Sequence, residues 1–259
     1  MNLSNYKSMP LSFSNSEAMQ SFMNGLFHFF KEAKLNPFRT EEWKQGIFQL
    51  FGVQAIHLPN LEAQNYILSS NHISDLDAII LGLLHPRVRI VAKIGWTANK
   101  DLMDFLKLHY DIVGVYRNFE IDKLNDDERK IAKKHNFNLF RDISKYLKDT
   151  SEVHHLLIFP QGTISDINRN SKDRVSAGFA KIANATNTSV VNIFTEYPEI
   201  GSNMRIVCGI PYAIVDRNID YSQAWLNDVL TLQNQLDDVR SPVLSEKHSL
   251  NNAPDEPFF

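Results

Sequence analysis

A short apolar run, Tyr66-Ile-Leu-Ser-Ser, stops at Asn71-His72, and a helix-like run carrying Ala78, Ile79, Leu81, Gly82 and Leu83 begins just beyond it. The first run suits a buried strand and the second a packed helix, so His72 falls where a strand hands over to a helix. Active sites of α/β proteins collect at such crossings.

The rest of the chain repeats that alternation. Strand-like runs occur at 53–58, 87–92 with Lys93 at the end, 112–116 with Arg117 at the end, 154–159, 189–194 and 204–208. Between them, helix-like spacing is found over 102–106, opened by Asn99 or Asp101, over 126–147 and over 177–185; a last helix is capped by Asp220 or Ser222 and runs to Leu236. This order predicts an α/β fold: a single domain with a central mixed, largely parallel sheet flanked by helices.

Three regions are expected. Residues 1–60 read as an N-terminal helical hairpin, with Met19, Phe22, Met23, Leu26, Phe27 and Phe30 on one helix face, a break at Asn36-Pro37, and Ile47, Phe48 and Phe51 on a second helix capped by Thr40. Its aromatic faces fit either packing on the core or an interfacial contact with a membrane. Residues 61–240 form the α/β domain, and 241–259, after Ser241-Pro242, read as an exposed tail.

Composition narrows the function classes. At 259 residues and 43% hydrophobic, the chain can bury one sizeable core, and a net charge of -3 argues against a dedicated nucleic-acid binder. Cys208 is the single cysteine, which excludes an intramolecular disulfide and a thiolate metal cluster and points to a reducing, cytoplasmic setting. No run reaches the roughly 20 apolar residues of a membrane-spanning helix, so a soluble or peripheral protein is expected.

His72 and Asp77 carry the candidate chemistry. If Ser74 is the N-cap, Asp77 falls at the third helical position and points back toward the residue ahead of the cap, within reach of His72. The carboxylate would fix the imidazole tautomer, leaving the other ring nitrogen to take a proton from a hydroxyl. The same Ser74-x-x-Asp77 spacing is equally a variant capping box, with acidic groups stabilising a helix start. A third reading takes His72, Asp75 and Asp77 as metal ligands in a phosphoesterase-like hydrolase.

The block Asn71-His72-x-x-x-x-Asp77, followed by Arg117 and then by Phe159-Pro160-Gln161-Gly162-Thr163, resembles the glycerolipid acyltransferase family, whose best-known members are the 1-acylglycerol-3-phosphate acyltransferases. The likeness spans about residues 65–195. It implies that His72 and Asp77 are catalytic and that Arg117, Lys93, Gln161, Gly162 and Thr163 bind the acceptor. No metal and no resident cofactor are implied; acyl-coenzyme A or acyl carrier protein serves as co-substrate. The implied partners are that acyl donor, a lysophospholipid acceptor and a membrane surface, with the protein peripheral on the inner face of the cell membrane.

The departures fall in the acceptor blocks. Gln161 stands where the family usually has Glu, Ile164 where it often has Arg, Tyr116 where an acidic residue is frequent, and Ser176 where a Lys often precedes Gly178. The stretch Val190-Val191-Asn192-Ile193 lacks the family's Pro. A catalytically silent lipid-binding relative is therefore the alternative to an acyltransferase acting on 1-acylglycerol-3-phosphate or a similar acceptor. Gln161 keeps the size of Glu without its charge, which leaves Arg117 free for an anionic acceptor unless another carboxylate meets it.

Overall fold

The computed structural model describes Phe48 and residues 53–73, 75–94, 110–162, 164, 175–196, 204–216 and 218–249, with backbone alone for Ile56, Asp75, Leu76 and 237–249. Almost all of the expected N-terminal hairpin, the expected helix at 102–106, the capping residue Ser74 and the site residue Thr163 lie outside these residues.

Seven strands form one sheet: β1 (Gln54–Ile56), β2 (Tyr66–Ser70), β3 (Val88–Lys93), β4 (Asp111–Val115), β5 (His155–Ile158), β6 (Ser189–Glu196) and β7 (Arg205–Cys208). Their order is β1-β7-β6-β2-β5-β3-β4. From β6 to β4 every pairing is parallel; β7 runs antiparallel to β6, and β1 runs parallel to β7. The sheet is thus mixed and largely parallel, as the alternation predicts. β1 belongs to it, so the α/β unit begins before residue 61, inside the stretch assigned to the hairpin.

Helices cover both faces. α1 (Asp75–Leu81) follows β2, α2 (Asn118–Ile121) and α3 (Asp126–Lys148) follow β4, α4 (Gly178–Thr186) follows β5, and α5 (Tyr221–Ser249) follows β7. Side chains alternate along β2: Tyr66 and Leu68 join a core with Ile79, Ile80 and Leu81 of α1, while Ile67 joins another with Ile143 of α3, Phe179 of α4 and Trp225 of α5. Each aliphatic side chain fully buried in this way contributes about 1.5–3 kcal/mol. Close approach of α1 to the sheet demands glycine at its end, because a Cβ on Gly82 would sit 2.8 Å from Cδ1 of Ile90.

Local sequence sets the helix ends. Asn125 accepts the Glu128 N–H at 2.9 Å and the Glu128 carboxylate accepts the Asn125 N–H at 3.2 Å, a reciprocal cap for α3. Asp220, rather than Ser222, caps α5, accepting the N–H groups of Ser222 and Gln223. The backbone of α5 continues past Pro242 to Ser249, into the stretch read as tail. Proline weakens a helix without always ending it, since its direct loss is one donor and a clash with the carbonyl four residues earlier.

The parallel strands β2, β3, β4 and β5 all end at one edge of the sheet, and β2 lies between β5 and β6. Their carboxyl ends carry Asn71-His72, Lys93, Arg117 and Phe159-to-Gly162. One edge therefore gathers residues far apart in sequence.

Candidate active site

The site starts with Asn71, fully buried just after β2. Its amide Nδ2 donates to the Thr195 carbonyl at 2.8 Å, and its Oδ1 accepts the Thr195 N–H at 2.7 Å and the Thr195 hydroxyl at 3.1 Å. A polar side chain that satisfies three groups on β6 holds the end of β2 against its neighbour. His72 emerges from this fixed point.

α1 begins at Asp75, so Asp77 occupies its third position, as the capping geometry requires. The Asp77 side chain is fully buried; its Oδ2 lies 3.3 Å from Nδ1 of His72 and accepts the Ile73 N–H at 2.7 Å. One Asp77 oxygen thus fixes the chain just ahead of the helix and faces the imidazole, while Ser74, on which the capping reading turns, lies outside the described residues. The tautomer that carries its proton on Nδ1, donated to the Asp77 carboxylate, leaves Nε2 with a lone pair. Nε2 has no partner among the described residues, and the His72 side chain is 14% exposed.

The turn after β5 packs beneath this pair. The Phe159 ring stacks on His72 with centroids 4.3 Å apart and planes 25° from parallel. Gln161, which the resemblance places on the acceptor, is buried, and its Oε1 accepts the His72 backbone N–H at 2.6 Å. Its oxygen therefore supports the main chain of His72. Gly162 closes the turn through its N–H to the Phe159 carbonyl at 2.9 Å and has a φ of 66°, a left-handed conformation that side-chain-bearing residues adopt at a cost.

Arg117 and Lys93 meet at the neighbouring strand ends. Arg117 Nη1 donates to the Gly162 carbonyl at 2.7 Å and Nη2 to Glu120 Oε1 at 2.6 Å; Lys93 Nζ lies 3.0 Å from the same Glu120 oxygen. The guanidinium also covers the Phe119 ring at 4.4 Å from its centroid. Hydrogen bonding from Arg117, reinforced by Lys93, holds the Glu120 carboxyl down at a pKa of about 2. Arg117 thus has a carboxylate partner, contrary to the condition under which it would stand free for an acceptor. Arg117 Nε is buried and has no hydrogen-bond partner among the described residues.

Sequence reasoning placed His72, Asp77, Arg117, Lys93, Gln161 and Gly162, and the structure brings them to one sheet edge. It missed Glu120, Phe159 as a stacking partner and the anchoring role of Asn71. The spacing Arg117-x-x-Glu120 was the available signal, since Glu120 Oε2 also accepts the Arg117 N–H at 3.3 Å across the first turn of α2. Of the metal-ligand alternative, His72 and Asp77 face each other and the Asp75 side chain is not described. Among the described residues no three His, Cys, Asp or Glu side chains are grouped to share an ion.

Among solved structures, the chain is similar to the 1-acyl-sn-glycerophosphate acyltransferase PlsC from Thermotoga maritima, at 16% identity over 81% of this chain and 87% of that one, with a TM-score of 0.46. No curated protein matches the sequence significantly. A sequence model of the acyltransferase family matches residues 52–196, which hold every described residue of this site and make up more than half of the chain. The chain belongs to the acyltransferase family.

Proposed function

We propose that this protein transfers a fatty acyl group from a thioester, acyl-coenzyme A or acyl carrier protein, to a hydroxyl of a lysophospholipid-like acceptor, with 1-acylglycerol-3-phosphate the first choice. The observation that carries this reading is the pairing of His72 Nδ1 with Asp77 at 3.3 Å at the carboxyl end of β2, with Nε2 unpartnered among the described residues. His72 Nε2 takes the acceptor's hydroxyl proton as that oxygen attacks the thioester carbonyl carbon. Asp77 stabilises the resulting imidazolium. Collapse of the tetrahedral intermediate breaks the carbon–sulfur bond, and the departing thiolate receives the proton from His72.

The acceptor's phosphate is assigned to Arg117 and Lys93. Arg117 is already oriented by Gly162 and Glu120, and its buried Nε, without a partner among the described residues, is a donor that an acceptor oxygen can satisfy. Thr163, adjoining Gly162, belongs to the same proposed pocket. No helix among the described residues is long and apolar enough to cross a membrane. Access to an amphiphilic acceptor then occurs at a membrane surface, with the protein peripheral on its cytoplasmic face.

Incubation with labelled acyl-coenzyme A or acyl carrier protein and a panel of lysolipids, with mass spectrometry of products, tests donor and acceptor together. The expected result is an acylated lysophospholipid formed by the wild-type protein and absent with His72→Ala. Full product formation by that variant would sink the assigned base, and absence of acyl transfer to every lysolipid would favour a silent lipid-binding relative.

A further inference from the structure

We propose that Gln161 is a positioning residue for His72, acting through the main chain, and that its neutrality sets the lower pH limit of the reaction. The inference rests on His72 acting as the base.

Side-chain hydrogen bonds tie three successive residues at this crossing to three different elements. Asn71 is locked onto Thr195 of β6, the His72 N–H onto Gln161 in the turn after β5, and the Ile73 N–H onto Asp77 of α1. The Gln161 bond, at 2.6 Å, is the one made by His72's own backbone, and it comes from the turn that also supplies the stacked Phe159 ring. Losing it frees the main chain that aims Nε2, while the bonds on either side remain. Misplacement of a reacting group by about 1 Å is enough to cost a hundredfold in rate.

The charges at this edge explain why an amide rather than a carboxylate matters. Asp77 faces Nδ1 from α1; Lys93, Arg117 and Glu120 lie together at the ends of β3 and β4 and in α2; Glu196 pairs with Arg205 between β6 and β7. A Glu at 161 would keep the acceptor oxygen for the His72 N–H and add a second negative charge on the His72 side of the turn. Opposite charge nearby favours the protonated imidazole, which cannot take the hydroxyl proton.

Steady-state kinetics of Gln161→Leu and Gln161→Glu across pH, with the acyl-transfer assay above and urea unfolding as a fold control, test this. Gln161→Leu is expected to lower kcat about ten- to hundredfold with the KM for the acyl thioester held within about twofold. Gln161→Glu is expected to restore kcat at higher pH while its acidic limb in kcat/KM moves up by roughly half to one pH unit. Wild-type kcat in a folded Gln161→Leu protein, or an unmoved acidic limb in Gln161→Glu, overturns the proposal; the second arm decides if the Leu variant does not fold. If His72→Ala retains activity, the base assignment itself fails; if it is inactive while Gln161→Leu is unimpaired, only the role of Gln161 fails.

Discussion

Glu120 grips Arg117 at two points, its carboxylate accepting from the guanidinium at 2.6 Å and from the Arg117 backbone N–H at 3.3 Å. A long basic side chain is thereby fixed relative to its own backbone before any ligand arrives. The same carboxylate takes Lys93, so two cations from two strand ends converge on one anion.

That arrangement has a defined pH signature. The Glu120 carboxyl sits at a pKa of about 2, below its ordinary 4.5, so the stabilisation it gives is fully present above pH 4.5 and is lost as pH falls toward 2. Urea unfolding of wild type and Glu120→Gln should differ by a constant amount above pH 4.5, with the difference closing in more acidic buffer. A gap independent of pH would mean that the ion pairs contribute nothing measurable.

Arg117 should matter more for the acceptor than for the donor. Arg117→Lys keeps the charge but cannot span Gly162 and Glu120 with a planar fork. The expected outcome is a loss of about tenfold in kcat/KM for an anionic lysolipid in the Lys variant and about a hundredfold in Arg117→Ala, the range associated with one hydrogen bond to a charged group. The KM for acyl-coenzyme A should stay near wild type in both.

Gly162 is constrained by backbone, not by space. A Cβ there would lie an ordinary 3.7 Å from Cδ of Arg117, but φ is 66°. Gly162→Ala should therefore destabilise the fold by about 1–2 kcal/mol in chemical denaturation, and Gly162→Asn by less, because Asn tolerates the left-handed region better. A neutral Gly162→Ala would show that the turn relaxes.

Much of this fold was legible because strands that are buried on both faces read as apolar runs wherever they fall in the chain. β2, buried throughout, is read residue for residue at 66–70; β3 and β4 are only partly buried, and β3 shows instead as an alternation of charged and apolar residues that ends at Lys93. What sequence did not reveal depends on which turn lies under which. Gln161 looks like a ligand-facing residue of a polar turn, yet β5 enters the sheet beside β2, and this neighbour relation points its oxygen at the His72 N–H. Glu120 was passed over because α2 is a single turn, too short for a periodic signal.

His155 offers a check on burial at the opposite end of β5. Its Nδ1 accepts the Tyr66 N–H at 3.2 Å, and burial, followed by the adjacent His85, pushes its pKa down to about 3. The unfolded chain takes up this proton near the ordinary 6.5 and the folded chain does not, so His155 lowers stability progressively as pH drops from 6.5 to about 3. Imidazole NMR should show His155 neutral at pH 5; a charged ring there would contradict the packing.

Asn71 supplies the severest test of how the site is anchored. Its amide is both donor and acceptor to Thr195, so Asn71→Asp preserves shape and the two bonds to Oδ1 but loses the 2.8 Å bond to the Thr195 carbonyl and places a charge in a fully buried position. Asn71→Ala instead leaves the Thr195 N–H and carbonyl without partners, at about 1–3 kcal/mol for each group. Both variants should lose several kcal/mol in urea unfolding and lose acyl transfer at temperatures where they remain folded, because beyond the backbone ladder that ends at Ile193 the end of β2 that carries His72 is less firmly tied to β6. Should either variant keep its stability but lose activity, Asn71 would be acting on the reaction directly rather than through the backbone it anchors.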